Sequence, residues 1–328
     1  MLDHPQEFQS WLHDITAYQA VIHAIATTQL LDQWGSEPIS LKELSARTKI
    51  DAAQLGRLIN VLASQGVLEI LPDGSIGHTP RSRSLQSFRA ATMVQKMALQ
   101  SGLRLGEAVQ TGKTAFESYF GKPVFEYFAE NPEQARFFGE RMSQITLQDE
   151  PLILGQLRFP PFRLAVDIGG GHGTLLSGLL AQYPQAHGIV FDMPDVAERA
   201  AQRLRVLPEG SRIESVGGDF FKSVPTGGDL YLLKQILHDW CDADCITILK
   251  SVRQAIARGG RIAVIERLLP EAIAPDPVFA FDILMMIWTT GQERKLHQIQ
   301  GLLESAGFAI GTVTQNPGRM SIVEATPI

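Results

Sequence analysis

The sequence predicts an α/β protein, with a Rossmann-like nucleotide-binding sheet in its second half and a mainly helical, winged-helix region in front of it. Three observations carry that expectation. Leu164 to Ile168 is a short apolar run that breaks into Gly169, Gly170 and Gly171, with Gly173 close behind, and turns helical from Thr174 to Ala181. Strand, glycine loop and helix in that order open a nucleotide-binding fold. Four more apolar runs follow, separated by helical stretches, as crossover connections between parallel strands require. In the first hundred residues, two short helical patterns precede a strand and a turn.

Composition bounds the rest. The 328 residues allow two domains, and 45% hydrophobic with 20% charged residues is ordinary for a globular protein with a real core. A net charge of −6 argues against non-specific nucleic-acid binding and against anionic membranes. No apolar run approaches membrane-spanning length. The first residues lack a basic segment followed by an apolar one, so no secretory leader is expected. Two cysteines cannot build a disulfide scaffold, and the cytoplasm is the expected compartment.

In chain order, Phe8, Trp11, Leu12, Ile15, Tyr18, Val21, Ile22 and Ile25 recur at helical spacing, and Leu30, Leu31 and Trp34 extend the apolar pattern to Gly35-Ser36 and Pro38. Ser40 with Glu43 three residues on reads as a capping box. Asp51 caps a second helix that Gly66 ends, and Val67 to Leu71 with Pro72-Asp73-Gly74 reads as a strand and turn. This is a winged-helix pattern, but its second helix offers Arg57 as the one clear cation among Leu55, Leu58, Ile59, Val61 and Leu62. A DNA reader needs several basic and amide side chains there. A dimerisation module fits better than a nucleic-acid reader. From Ser87 to about Glu150 the chain reads as helical with a break at Phe120-Gly121-Lys122-Pro123. Its aromatic cluster, Phe125 and Phe138 included, is core or the wall of a planar pocket.

The glycine loop has an acidic lead-in, Asp167. A dinucleotide pyrophosphate sits against N–H groups at such a helix start, and a carboxylate there would repel it. Gly169-x-Gly171 also lacks the third small residue of that fingerprint, because Thr174 stands in its place. A ligand with a cationic end suits the loop better, and S-adenosylmethionine (SAM) is the candidate. The second strand ends at Asp192-Met193-Pro194, about twenty residues on, where a carboxylate accepts from ribose hydroxyls. A third strand exits through Gly218-Asp219-Phe220, with Asp219 facing an adenine amino group and Phe220 packing on its ring. The fourth strand ends at Lys234 and the fifth runs from Gly259 to Ile265. A helix from Leu296 to Ser305 and an antiparallel hairpin near Phe308–Val313 and Met320–Ala325 complete the sheet.

Five stretches in this order, Val-Asp-Ile-Gly-Gly-Gly-His-Gly, Phe-Asp-Met-Pro, Gly-Gly-Asp-Phe-Phe, Leu-Leu-Lys-Gln-Ile-Leu-His-Asp-Trp and Ile-Glu-Arg, resemble the SAM-dependent O-methyltransferases of the caffeic acid and acetylserotonin type, whose bacterial members include the phenazine O-methyltransferases. The resemblance spans the chain. It implies a winged-helix dimerisation domain over 1–100, a helical connector contributing to the substrate pocket over 101–157, and a SAM-binding catalytic domain over 158–328, working as a homodimer. It implies that Asp167, Gly169 and Gly171 hold the methionine end of SAM, Asp192 with Met193 the ribose, and Gly218, Asp219 and Phe220 the adenine. Lys234 lies beside the cofactor, and Met142 and Thr146 fall where the family brings a helix over the SAM carboxylate. His238 matches the catalytic base, with Glu266 and Glu293 as its flanking carboxylates. Asp282, Met285, Met286 and Trp288 occupy the stretch that lines the acceptor pocket, joined by Phe125 and Phe138.

The chemistry wants these groups. A phenol of pKa about 10 is scarcely ionised at neutral pH, and a neutral histidine of pKa about 6.5 is a suitable base. A carboxylate on its other nitrogen fixes the tautomer. No metal is required, and His238, Cys241, Asp242, Asp244 and Cys245 lack the second ligand pair of a structural zinc site. His172 is expected to face solvent or pack within the loop, and Asp239 to cap or orient locally. Phenol, enol and N-hydroxyl acceptors all fit, as do phenazine-like ones. The alternatives are a SAM-binding relative with non-methyl, C-methyl or N-methyl chemistry, and, from another class, a winged-helix regulator responding to a ligand.

Overall fold

The computed structural model describes residues 5–87 and 89–328, with no account of the side chains of 5–12, 26, 32, 84–87 and 89. Two compact units make up the chain: residues 1–100 with Arg136–Arg141, and Ser101–Ala135 with Met142–Ile328.

The first unit begins with α1 (Pro5–Thr28), on which Phe8, Trp11 and Leu12 fall outside the described side chains. The apolar pattern predicts one helical region to Gly35, but Gln29 adopts a left-handed conformation (φ 52°) and breaks it, and Leu30–Asp32 forms a 3₁₀ turn. The break lets Leu30, Leu31 and Trp34 turn into the core with Ile25. Next come α2 (Leu41–Thr48), α3 (Ala52–Ser64) and the antiparallel strands β1 (Leu68–Ile70) and β2 (Ile76–His78). Ser40 caps α2 as expected, its hydroxyl accepting from Glu43 N at 3.2 Å. The reciprocal half of the box does not form, because the Glu43 carboxylate pairs with Arg47 one turn on. Leu55, Ile59 and Leu62 of α3 are buried in this unit's core. Helices α4 (Pro80–Ser87) and α5 (Arg89–Gly102) close the segment.

The stretch read as helical with a break at residues 120–123 continues as α6 (Leu105–Thr111), α7 (Ala115–Phe120), α8 (Val124–Glu130) and α9 (Pro132–Gln156): the expected break falls between α7 and α8, and further breaks divide the rest. Gly112 and Gly121 end α6 and α7 in left-handed caps, as expected of glycine after a helix. The sheet strands are β3 (Leu164–Ile168), β4 (His187–Asp192), β5 (Ile213–Gly217), β6 (Leu230–Lys234), β7 (Arg261–Leu269), β8 (Arg294–Lys295), β9 (Phe308–Thr314) and β10 (Met320–Pro327). Between them lie α10 (Thr174–Gln182), α11 (Pro194–Leu204), α12 (Asp242–Ala255), α13 (Val278–Trp288) and α14 (Leu296–Ser305).

Strand order is β5-β4-β3-β6-β7-β10-β9, with β8 pairing with β7. The pairs from β5 through β7 are parallel, and β10 pairs antiparallel with β7 and β9, the predicted terminal hairpin. Apolar side chains cover both faces of the sheet: α12 and α14 pack on one, α10, α11 and the end of α9 on the other. Burial on both faces explains why β3, apart from Asp167, and β6 up to Lys234 are apolar without alternation. The order reverses between β3 and β6, which places a ligand crevice beyond their C-terminal ends. No helix among the described residues is long and apolar enough to cross a membrane.

Candidate active site

At the end of β3, Gly169, Gly171 and Gly173 all take positive φ (63°, 54° and 76°), a path that glycine follows without strain. Gly171 N donates to Asp192 Oδ2 at 2.9 Å, and Met193 N to Asp192 Oδ1 at 2.8 Å, so the carboxylate at the end of β4 ties the loop to the start of α11. Gly218 N donates to Asp192 O, joining the exit of β5 to the same corner. Burial pushes Asp167 up to about 7 against the pull of Lys234, with Asp192 adding to the rise, and it pushes Asp192 itself up to about 6. Burial likewise lowers Lys234 to about 8, although Asp149, Glu266 and Asp167 oppose it. Lys234 Nζ donates to Gln235 Oε1 at 2.6 Å. Buried carboxylates held above their usual range at a strand-end crevice fit a ligand with a cationic end, as SAM has.

Met142 and Thr146 sit one turn apart on α9, the Thr146 hydroxyl donating to Met142 O. Between them Ser143 lies 2.9 Å from His172 Nδ1, so His172 links the glycine loop to α9. Asp219 is half-exposed and turned into its own loop: Oδ1 accepts from Phe221 N at 3.0 Å and Oδ2 pairs with Lys222. Phe220 packs edge-on to Phe221 and Trp240.

His238 is buried on a 3₁₀ turn (Leu237–Asp239) just past β6. Its Nδ1 lies 3.0 Å from Glu293 Oε1 and 3.8 Å from Glu266 Oε2. Asp239 Oδ1 stands 3.7 Å from Nε2, so this residue faces the imidazole as well as its own turn. Burial alone would lower His238, but Glu266, Asp239 and Glu293 outweigh it and push it up to about 9, well above the ordinary value that made it a suitable neutral base. Burial raises Glu266 to about 7 against the pull of His238. Glu266 Oε2 and Glu293 Oε2 are buried without a hydrogen-bond partner among the described residues.

The two glutamates do different things. Glu266 Oε1 accepts from the backbone N–H groups of Ile236, Leu237 and His238 at 3.0, 2.9 and 3.4 Å. Glu293 holds the ring. Asp282, expected to line the pocket, accepts from Glu293 N at 2.9 Å. Met285 is half-buried and Met286 exposed on α13, while Trp288 is buried and stacked on Phe116 with centroids 5.2 Å apart. Phe125 stacks on Trp240, two residues past the histidine, at 5.4 Å. Phe138 lies in the Arg136–Arg141 stretch of the first unit. Sequence reasoning passed over Arg294 and Trp240; the run Gln292-Glu293-Arg294 was the available signal for the first.

Comparison with known proteins bears on the fold and the activity. Residues 103–309 match the O-methyltransferase domain family. The chain is 37% identical to the phenazine O-methyltransferase PhzM of Lysobacter antibioticus, over 97% of this chain and 95% of that protein. The crystal structure of LaPhzM superposes with a TM-score of 0.92 at 36% identity, covering 98% of this chain and 99% of that one. NcsB1, an O-methyltransferase from neocarzinostatin biosynthesis solved with SAM and 2-hydroxy-5-methyl naphthoic acid, gives 0.82 at 26% identity over 95% and 96% of the two chains. The family match and the whole-length likeness agree: the chain belongs to the O-methyltransferase family and is a SAM-dependent O-methyltransferase.

Proposed function

We propose that the acceptor is a hydroxyl on a small planar aromatic secondary metabolite, and that His238 removes its proton. The observation that carries this is the hydrogen bond from Nδ1 to Glu293, which fixes the ring and leaves Nε2 for the acceptor. SAM supplies an electrophilic methyl group. As the O–CH₃ bond forms and the S–CH₃ bond breaks, the hydroxyl proton passes to Nε2, and S-adenosylhomocysteine leaves with the sulfur electron pair. Asp167, Asp192 and the glycine loop orient the cofactor, and Phe125 on Trp240 offers an aromatic face for a flat acceptor. The reaction needs no metal. The similar phenazine O-methyltransferase and the NcsB1 structure with a bound hydroxynaphthoic acid support the acceptor class.

Because three carboxylates hold His238 protonated, the imidazole must lose its proton before it can take another. A cation bound at the Asp167–Asp192 end works in that direction by repelling the imidazolium. The test is His238→Ala, assayed for S-adenosylhomocysteine release with hydroxyphenazine and hydroxynaphthoate acceptors and for SAM binding by calorimetry. SAM affinity stays, and turnover falls by a factor of about 10²–10⁴. Unchanged turnover overturns the assignment.

The same reading includes a homodimer formed through the first unit and residence in the cytoplasm. Ile22 and Ile70 are exposed on that unit, and both cysteines are free thiols. Light scattering and cell fractionation test the two statements; a monomer at micromolar concentration refutes the first.

A further inference from the structure

The turn that carries His238 is held by its main chain as well as by its ring. After β6, Gln235 adopts a left-handed conformation (φ 54°), and the next three N–H groups converge on Glu266 Oε1. Such a nest of successive N–H groups is a ready anion site. The carbonyl side has a matching cation. Arg294 is fully buried, and its guanidinium donates to Leu237 O and Trp240 O, each at 2.7 Å. Its Nε and Nη2 also donate to Asp242 Oδ1 at 3.0 and 2.8 Å, and Asp242 is mostly exposed at the start of α12. The Cys245 thiol adds a weaker bond to the same two carbonyls.

The chain that supplies Arg294 also supplies the ring's partner, Glu293, and the contact of Gly291. A Cβ on Gly291 would stand 2.0 Å from His238 O and 2.4 Å from Trp240 N. Residues 291–294 therefore touch the turn at its main chain on two sides and at the imidazole. Asp282 of α13 holds Glu293 N in turn.

We propose that Arg294, braced by Asp242, is a positioning residue that acts with Glu266 as a clamp on the main chain of the His238 turn and so sets where the imidazole stands. The proposal rests on His238 being the base. Arg294 suits this place because its planar fork reaches two carbonyls and a carboxylate at once, which the point charge of lysine does not.

The test uses the intact protein, with imidazole NMR of His238 assigned by comparison with His238→Gln. Arg294→Lys is the main variant. Asp242→Ala, at an exposed position, keeps the test decisive if the first fails to fold. The expected result is unchanged SAM affinity with a His238 titration midpoint moved by roughly one pH unit, because a displaced ring meets its carboxylates at different distances. Turnover of a hydroxyphenazine falls on the order of 100-fold in Arg294→Lys. In the His238→Ala background the same change has no further effect, since a residue acting through another loses its role when that one is gone. Folded variants whose His238 midpoint matches the parent, measured where Glu293→Gln does move it, overturn the clamp. Normal turnover by His238→Ala would instead remove the base assignment, and the NMR measurement would still decide whether Arg294 places the ring.

Discussion

Two ends of one sheet edge crowd acidic side chains into buried space, around different partners. At the turn past β6, Glu266, Glu293 and Asp239 surround an imidazole, and His238 is pushed up to about 9. At the glycine loop, Lys234 opposes the rise of Asp167 and Arg199 that of Asp192, yet burial prevails and raises them to about 7 and 6. The base end sets its acids around an imidazole; the loop end balances its acids only in part with Lys234 and Arg199 and is complementary to a further cation. The difference teaches which end is built for a proton and which for a ligand.

The sharpest way to break this comparison is Asp167→Asn. An amide keeps the shape and removes the charge, so SAM affinity at about pH 8 falls by roughly 10- to 100-fold, the worth of a hydrogen bond to a charged group. Calorimetry that finds parental affinity would mean that the loop end does not read charge. The same substitution at the base end behaves differently. Glu266→Gln keeps an oxygen for the three N–H groups of the turn and withdraws a negative neighbour from His238. The histidine is active when neutral, so kcat/KM rises with pH through its pKa. With Glu266 neutral that pKa drops, and the acidic limb moves to lower pH by about one unit. A limb that stays in place, or moves up, contradicts the assignment.

The parent protein supplies a milder contrast. SAM's cationic end favours the ionised forms of Asp167 and Asp192, whose pKa values lie above the usual carboxylate range. Affinity for SAM therefore climbs from about pH 5.5 to about pH 8 and levels above, as these groups lose their protons. A flat profile over this window would show that both acids are ionised throughout.

Much of the architecture was legible because its signals are local. The strand, glycine loop and helix around Asp167 fall within twenty residues, and the apolar runs of β3 and β6 announce burial on both faces. His238 and Glu293 could be matched to a family pattern, but the sequence could not divide labour between Glu266 and Glu293. That division depends on which atoms each carboxylate meets across the sheet, one the main chain of the turn and the other its ring. Arg294 escaped notice for the same reason: its partners are carbonyl oxygens more than fifty residues away, and main-chain atoms leave no pattern of side-chain types. Gly291 has no positive φ to mark it as a turn glycine. The break at Gln29 was hidden because the apolar spacing continues through Leu30 and Leu31.

Asp282 provides the finest test, because it sits between the acceptor helix and the base. The family likeness points to a pocket-lining carboxylate, while its observed partner is Glu293 N. A carboxylate that touched the acceptor would change KM when neutralised. One that only holds the Glu293 segment should tolerate Asp282→Asn, whose amide oxygen still accepts that N–H, and should suffer in Asp282→Ala. The lost hydrogen bond is worth about 0.5–1.5 kcal/mol, so kcat falls by roughly 2- to 12-fold in the alanine variant with acceptor KM unchanged. If the asparagine variant raises acceptor KM while kcat holds, Asp282 belongs to the acceptor pocket, and the base end is joined to the acceptor through the ligand rather than through the segment that carries Glu293.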